Sequence, residues 1–307
     1  MQDLLRRYGI GLTGLFIGLT FFWLVMLVLL PNFTMLESSF RPYLAKVDEG
    51  GPLDVYSFGN YMKIFGNEVD SSLFGFVFQV PVRVKVFYLT IVYSALVTVI
   101  TFVMAYPLAY YLAKIVSPKS LPTLFLLLFV PLWVSEILRS FAWWIILAFK
   151  GPLNAVLISL GLIDTEIRWI AGFSPVVIGL VYTYVLFMVF PLYSSMQSLD
   201  SNQIEAAEDL GSSWWRTHWR VILPHAKPGI ASGAVMVFML SAGSLLVPSL
   251  LGSTTSGWFT QTIQEIMLGS QDWNTGAAFA FMLLIACTLF VSLAMRAFGV
   301  KLSDIAK

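Results

Sequence analysis

The sequence predicts an all-α integral membrane protein with six transmembrane helices, and three observations lead to that fold class. Apolar residues make up 58% of the 307-residue chain, against roughly 45–50% in soluble domains. Charged residues make up only 11%, too few for the surface of a soluble protein of this size. Several apolar runs are about 20 residues long, enough for a helix to cross roughly 30 Å of hydrocarbon. The net charge of +1 indicates neither a nucleic acid nor an acidic partner.

Six apolar stretches carry the predicted membrane helices. They cover residues 10–30, 86–113, 121–149, 175–196, 229–251 and 275–296. The chain then divides into a first helix with a long external loop (1–85), a core of five helices (86–300) and a tail (301–307). The single cysteine, Cys287, excludes an intrachain disulfide and is expected to be a small packing residue. Two glycine pairs, Gly14/Gly18 and Gly229/Gly233, have the spacing of close helix contacts, and their use in a dimer stays open.

Basic residues orient the helices, because cytoplasmic segments are enriched in Lys and Arg. The loop 252–274 contains neither residue, and the five bases of the long loop 32–85 are accompanied by six acids. Both termini are therefore expected in the cytoplasm. The bases assigned to that side are Arg6, Arg7, Lys114, Lys119, Arg216, Arg220, Lys227, Arg296, Lys301 and Lys307.

The polar stretch 198–229, which we call the coupling segment, lies between the fourth and fifth helices. Residues 203–210 favour a helix, which Asp200 or Ser201 can cap and Gly211 can end. A second short helix is predicted over 214–221, closed by Leu223 and Pro224. Its tryptophans, Trp214, Trp215 and Trp219, need either the headgroup region or a pocket on a partner protein.

The coupling segment resembles the EAA loop of binding-protein-dependent ABC importer permeases. Glu205-Ala206-Ala207, Gly211, Val221 and Leu223-Pro224 follow that pattern, and only Val221 departs from it, where isoleucine is usual. The resemblance implies the type I ABC importer permease fold, with coupling helices that dock on an ATPase subunit. The residues assigned to this coupling are Glu205, Ala206, Ala207, Gly211, Trp214, Trp215, Arg216, Trp219, Leu223 and Pro224.

The chain has no Gly-Lys dipeptide and therefore no P-loop. The resemblance implies two ATPase subunits that hold ATP and magnesium, a second permease subunit and a periplasmic solute-binding protein. The chain itself is expected to bind no cofactor and to catalyse no reaction, in the bacterial inner membrane.

A second resemblance concerns the solute. Pro131-Leu132-Trp133, Leu138 to Trp143, Gly179 to Tyr182 and Val247 to Gly252 resemble the spermidine/putrescine permease group. Ser244 departs from that group, whose members often carry an acidic residue there. The expected solute is a small polyamine-like cation, with an opine or another small amine or amino-acid derivative as an alternative.

Glu136 and Arg139 are the ionisable residues within the predicted third helix. Glu136 would lie about 22 Å from the start of that helix, where a charge costs at least roughly 2.5–3.5 kcal/mol. Two alternatives stay open: the two residues pair with each other, or Glu136 attracts a cationic solute. The residues of the expected solute path are Glu136, Arg139, Trp143, Tyr182, Tyr184, Ser241 and Ser244.

Residues 240–244, Leu-Ser-Ala-Gly-Ser, form helices weakly and are expected to be an unwound region beside the path. The two histidines, His218 and His225, lack a third ligand, so no metal site is expected. An ion-coupled secondary transporter remains the rival function. An intramembrane enzyme is disfavoured, because no zinc-protease or serine-hydrolase motif occurs.

Overall fold

The structure, a computed structural model, describes residues 2–44, 51–52, 54–66, 68–73, 76–170, 172–252 and 257–299. Within them, six helical segments are long and apolar enough to cross a membrane, as the sequence predicts. They are Gly11–Phe40, Val82–Ile115, Glu136–Ser159, Ser174–Gln197, Trp214–Ala242 and Trp273–Phe298. The tail 301–307, with Lys301 and Lys307, lies outside the described residues.

The individual helices are interrupted more often than the apolar pattern suggests. In chain order they are Gln2–Leu24, Leu30–Phe40, Gly59–Met62, Val82–Tyr110, Leu121–Trp133, Glu136–Leu147, Pro152–Ser159, Ser174–Gln197, Ser201–Asp209, Trp214–Thr217, Leu223–Ala242, Leu246–Leu251, Phe259–Gln264 and Trp273–Phe298. Wider π-helical turns lie at Val25–Leu29, Tyr111–Ile115, His218–Ile222 and Glu265–Gly269, and a 3-10 turn at Lys63–Phe65. Strands Glu68–Leu73 and Phe76–Pro81 form one antiparallel hairpin, with Glu68 opposite Pro81.

The chain consists of two compact units. The first contains residues 1–81 and 263–282, and the second contains 82–262 and 283–307. In the first unit, the opening helix runs to Phe40, ten residues beyond its predicted end. A π-helical turn precedes Pro31, which then sits in the first turn of the next helical stretch, where proline is tolerated. The helix stops when Arg41 becomes extended, as expected for a residue that precedes proline.

The second unit is built around three packed helices, Val82–Tyr110, Ser174–Gln197 and Leu223–Ala242. Gly229 and Gly233 face the backbone and side chains of Pro191 and Met188, so close that a Cβ atom would clash. This glycine pair therefore serves helix packing within the chain.

The predicted third helix, 121–149, is wrong as a continuous element. It ends at Trp133, and a new helix begins at Glu136 after Val134 and Ser135 adopt extended conformations. Pro131 in the last turn cannot donate to the helical hydrogen bonds, and serine followed by an acid is a helix-start signal. Glu136 therefore lies at a helix start, and the estimate of 22 Å along an unbroken helix no longer holds.

The second coupling helix also differs from the prediction. It does not close at Leu223-Pro224 but continues through them, so that 214–242 is one helical segment. The π-helical turn His218–Ile222 ends two residues before Pro224, and its wider spacing accommodates a residue without an N–H. The fifth span then breaks at residues 243–245 and resumes as Leu246–Leu251. The break lies within and just beyond the predicted unwound region.

Candidate coupling surface and solute path

The first helix of the coupling segment begins and ends at the predicted signals. Asp200 caps it, because its Oδ1 accepts a hydrogen bond from the Asn202 N–H at 3.0 Å. Gly211 ends it with a φ of 77°, a left-handed conformation that suits glycine. The Ser212 N–H donates to the Ala207 carbonyl at 3.0 Å, completing the Schellman turn typical of such ends. The motif residues Glu205, Ala206 and Ala207 all lie on this helix.

The three tryptophans of the second helix are exposed in the isolated chain. Trp214, Trp215 and Trp219 are 55%, 68% and 67% exposed. Arg216 shares their exposure, whereas Thr217 and His218 on the same helix are buried. Large exposed aromatic side chains beside exposed basic ones are the composition of an interface. Leu223 and Pro224 follow at the start of the next helix.

His218 connects the second coupling helix to the core. Its Nδ1 lies 2.8 Å from the Tyr106 hydroxyl, and its ring contacts the rings of Tyr110 and Trp214. Its Nε2 is buried and makes no hydrogen bond. The sequence analysis missed Tyr106, because nothing in the sequence brings it near residue 218. An apolar groove of about 590 Å³ lies beside this contact, lined by Phe102, Trp214, Trp219 and Phe298 among others.

Both ends of the coupling segment are fastened to the helices of the second unit. The Lys114 ammonium donates to the Leu199 carbonyl just before the first coupling helix. Near its end, the His225 carbonyl accepts a hydrogen bond from the Ser195 hydroxyl of helix Ser174–Gln197 at 3.4 Å. The Ser198 hydroxyl also lies 3.0 Å from His225 Nε2. The segment is therefore held at its start and its end, while its outer face stays exposed.

The predicted solute path is partly assembled around Glu136. The Tyr184 hydroxyl donates to Glu136 Oε1 at 3.3 Å, and the Ser244 hydroxyl is near enough to Tyr184 to interact electrostatically. Ser244 is buried, and its hydroxyl makes no hydrogen bond. We call Glu136, Arg139, Tyr184 and Ser244 the central cluster. It forms where the helix start at 136 and the break at 243–245 meet the helix Ser174–Gln197.

The ion pair considered between Glu136 and Arg139 is not formed. Among the described residues, no ion pair within 4.0 Å joins these two side chains. The Arg139 Nε is instead buried without a hydrogen bond, as is the hydroxyl of its neighbour Ser140. A carboxylate and a guanidinium therefore lie in one cluster without neutralising each other by contact, and buried groups of this kind are candidates to meet a ligand.

The other predicted path residues make contacts of their own. Trp143 and Tyr182 pack edge to face, with ring centres 5.6 Å apart. Ser241 is buried, its hydroxyl donates to the Phe238 carbonyl, and its own carbonyl accepts from the Trp258 indole at 3.2 Å. Trp258 is fully buried although it lies in a loop of the sequence, so no local pattern could have identified it.

The polar residues of the described chain do not form a metal site. In the segments that the structure covers, no group of three or more His, Cys, Asp or Glu side chains is placed to hold an ion. The chemistry that this arrangement supports is reversible binding of a polar solute and docking of a protein partner.

A family model supports this assignment. Residues 72–303 match the model described as the binding-protein-dependent transport system inner membrane component. The match includes the coupling segment and the whole central cluster.

Individual relatives and solved structures agree with the family. The chain is 35% identical to the spermidine/putrescine transport system permease protein PotB of Salmonella typhimurium, over 92% of this chain and 93% of that protein. It is also 35% identical to PotB of Escherichia coli K12, over 90% and 94% of the two chains. A bacterial ABC transporter that imports alginate contains a chain of the same fold, with a TM-score of 0.70, 16% identity and 97% coverage of both chains. The chain therefore belongs to the binding-protein-dependent transport system inner membrane components, and it is a multi-pass permease subunit of the bacterial inner membrane.

Proposed function

We propose that this permease translocates a small, cationic, polyamine-like solute, and that it does so in an ATP-driven importer. Its partners are two ATPase subunits, a second permease subunit and a periplasmic binding protein. The chain itself binds no cofactor, because ATP and magnesium belong to the ATPase subunits. The termini and the coupling segment face the cytoplasm in this proposal, which the distribution of basic residues supports.

The choice of solute rests on the surroundings of the Glu136 carboxylate. Its carboxylate lies at a helix start, accepts a hydrogen bond from Tyr184 and has no ion-pair partner within 4.0 Å among the described residues. An unpaired carboxylate within a membrane protein is costly unless it faces water or a partner. An ammonium group on the solute would supply that partner. The PotB relatives, whose names give spermidine and putrescine as their solutes, support the same choice.

Arg139 favours a second candidate. Its Nε is buried without a hydrogen bond close to Glu136, and a guanidinium suits a carboxylate better than a second ammonium. A solute that carries both an amine and a carboxylate, such as an opine or another amino-acid derivative, would match both charges. An ion-coupled secondary transporter is no longer a competing function, because the chain belongs to a family of importer components.

The coupling residues are assigned by the same reasoning. The exposed Trp214, Trp215, Arg216 and Trp219 form the face that would enter a groove on the ATPase, while Gly211 sets the angle between the two coupling helices. The motif residues Glu205, Ala206 and Ala207 would shape the first coupling helix, and Leu223 and Pro224 would join the second to the fifth span.

The test is uptake by the complete importer in proteoliposomes. Labelled putrescine or spermidine should accumulate only when the binding protein is present and ATP is hydrolysed. Unlabelled polyamines should compete with that uptake, whereas an opine should not. Competition by the opine alone would favour the second candidate, and uptake that survives without ATP hydrolysis would contradict both.

A further inference from the structure

A short helical segment in the first unit, residues 58–65, carries an exposed apolar face. We call it the loop helix. It consists of Phe58 at the N-cap, the helical turn Gly59–Met62 and the 3-10 turn Lys63–Phe65. Its position in the sequence, between the first membrane helix and the hairpin, gives no indication of its environment. The contacts of its two faces do.

One face of the loop helix is anchored firmly. The buried Asn60 side-chain amide donates to the carbonyls of Ser39 and Arg41, at 3.0 and 2.7 Å. The Lys63 ammonium donates to Asp272 Oδ2 at 3.0 Å and to the Thr275 hydroxyl at 2.6 Å. Ile64 is buried beside them. The segment is therefore a defined structural element with a fixed orientation.

The anchors fix the level of the loop helix relative to the bilayer. Ser39 and Arg41 stand at the end of the membrane helix that finishes at Phe40, and Asp272 precedes the one that starts at Trp273. The first of these helices spans 30 residues, or about 45 Å at 1.5 Å per residue. That length covers the hydrocarbon core and the polar headgroup layers together. The loop helix is thus attached where two membrane helices pass through the headgroup layer.

The opposite face is apolar and exposed. Phe58, Met62 and Phe65, which lie at helical spacing, are 70%, 62% and 58% exposed. Lys63, the charged residue of this segment, is tied to Asp272. An exposed apolar face beside an anchored polar one is the pattern of a helix that lies in a membrane surface.

We propose that the loop helix is an interfacial helix, which lies in the plane of the bilayer surface and inserts Phe58, Met62 and Phe65 among the lipid acyl chains. Its level beside two span ends favours lipid over a soluble protein as the occupant. The aromatic and methionine composition of these three side chains favours it too. The neighbouring Lys63, whose side chain is 43% exposed, is paired with Asp272. The helix would hold the ends of the two spans at a constant depth in the membrane. This inference does not depend on the identity of the solute.

Site-directed spin labelling tests the proposal in the complete importer, in nanodiscs without the binding protein. Cys287→Ser removes the one native cysteine, and single cysteines then replace Met62 or Phe65. The accessibility of each label to oxygen, which partitions into lipid, is compared with its accessibility to a water-soluble nickel chelate. Leu289, exposed on the last membrane helix, provides the lipid reference, and Thr165, exposed in a loop, provides the water reference.

We expect the ratio of oxygen to nickel accessibility at both positions to resemble that at Leu289 and to exceed that at Thr165 several-fold. A ratio like that at Thr165 would place the face in water and overturn the proposal. Protection from both reagents would mean that protein covers the face and would overturn it equally. The two positions are labelled separately, and thermal unfolding of each variant identifies one that no longer folds.

Discussion

The coupling segment and the central cluster differ in the origin of their shapes. In the coupling segment, each turn of the backbone follows from a nearby residue: Asp200 caps the first helix and Gly211 ends it. In the central cluster, the backbone breaks at 134–135 and 243–245 are brought together by packing of distant helices. The first region is therefore a local motif on an exposed surface. The second is a product of the tertiary fold, with buried polar groups that lack partners.

This difference predicts different sensitivities to mutation. A local motif should fail when one backbone conformation is forbidden, while the remainder of the chain stays folded. In a cluster formed by packing, removing a charge should lower uptake only by as much as that charge contributes to its own contacts. The variants below test that contrast, starting with the largest expected effect.

The largest expected effect is in cysteine labelling, which shows on which side of the membrane the coupling segment lies. In a Cys287→Ser background, a cysteine at Ser256 should react with an impermeant thiol reagent added from the periplasm, and one at Ser212 should not. Ser256 lies outside the described residues, whereas Ser212 directly follows Gly211 in the coupling segment. The labelling should be all or none in intact cells. Reversed labelling would place the segment on the side without ATP and exclude its role in coupling.

Gly211→Val should abolish solute-stimulated ATP hydrolysis while the chain still inserts in the membrane. A β-branched residue at a φ of 77° is strained by at least about 1–2 kcal/mol, and the turn between the coupling helices would open. Gly211→Asn, which tolerates this conformation better, should keep most of the activity. Gly161→Val provides a matched control, because Gly161 has a φ of 67° outside the coupling segment. Normal stimulated turnover in Gly211→Val would remove this turn from the mechanism.

Glu136→Gln should lower uptake about tenfold with little change in thermal stability. The amide keeps the shape and can still accept from Tyr184, but the charge-assisted part of that hydrogen bond and the attraction for an ammonium, together about 1–2 kcal/mol, are lost. Arg139 is not left unpaired by this change, because the two side chains do not form an ion pair. Uptake and thermal unfolding are measured on the same preparation.

The double variant Glu136→Gln with Arg139→Gln separates the two possible roles of Glu136. Uptake that stays low in the double variant supports a direct role toward the solute. Restored uptake would show that Glu136 is needed only to balance the charge of Arg139. Tyr184→Phe is the matched control, since it removes the hydrogen bond and leaves both charges in place.

The smallest expected effect is at Asp272, a carboxylate outside the membrane-spanning helices that can be compared with Glu136. Burial alone would raise its pKa, but hydrogen bonds from Thr275 and Lys63, with the charge of Lys63, hold the pKa below its ordinary value. A lowered pKa in the folded state stabilises the protein at pH values above the unfolded pKa of about 3.9, and this stabilisation is lost as the pH falls through the folded value.

Asp272→Asn should therefore lower the thermal unfolding temperature by a few degrees at pH 7, in line with about 1 kcal/mol for such hydrogen bonds. The difference from the unsubstituted chain should shrink as the pH approaches 3. Asp164→Asn, a change at an exposed loop carboxylate, is the control for the loss of one negative charge. If the difference in unfolding temperature stayed constant across this pH range, Asp272 would not contribute to the pH dependence of stability.

The number of spans and the coupling segment could be predicted because their signals are local. Apolar length identifies a membrane helix, and Asp200 and Gly211 act on the residues next to them. The break before Glu136 was missed because an apolar run hides it, although Pro131 and Ser135 marked it. The contacts of Glu136 with Tyr184 and of His218 with Tyr106 join residues 48 and 112 positions apart. Only packing of the folded helices determines such pairs.

The continuous helical segment 214–242 has a mechanical consequence. It begins at the exposed tryptophans and ends at the break beside Ser244, a distance of about 43 Å along its axis. The close contact of Gly229 and Gly233 with the neighbouring helix gives this rod a fulcrum part of the way along. A small displacement of the tryptophan end would therefore tilt the rod and move the backbone next to the central cluster. The chain thus contains a lever that carries a π-helical turn, His218–Ile222, near its exposed end.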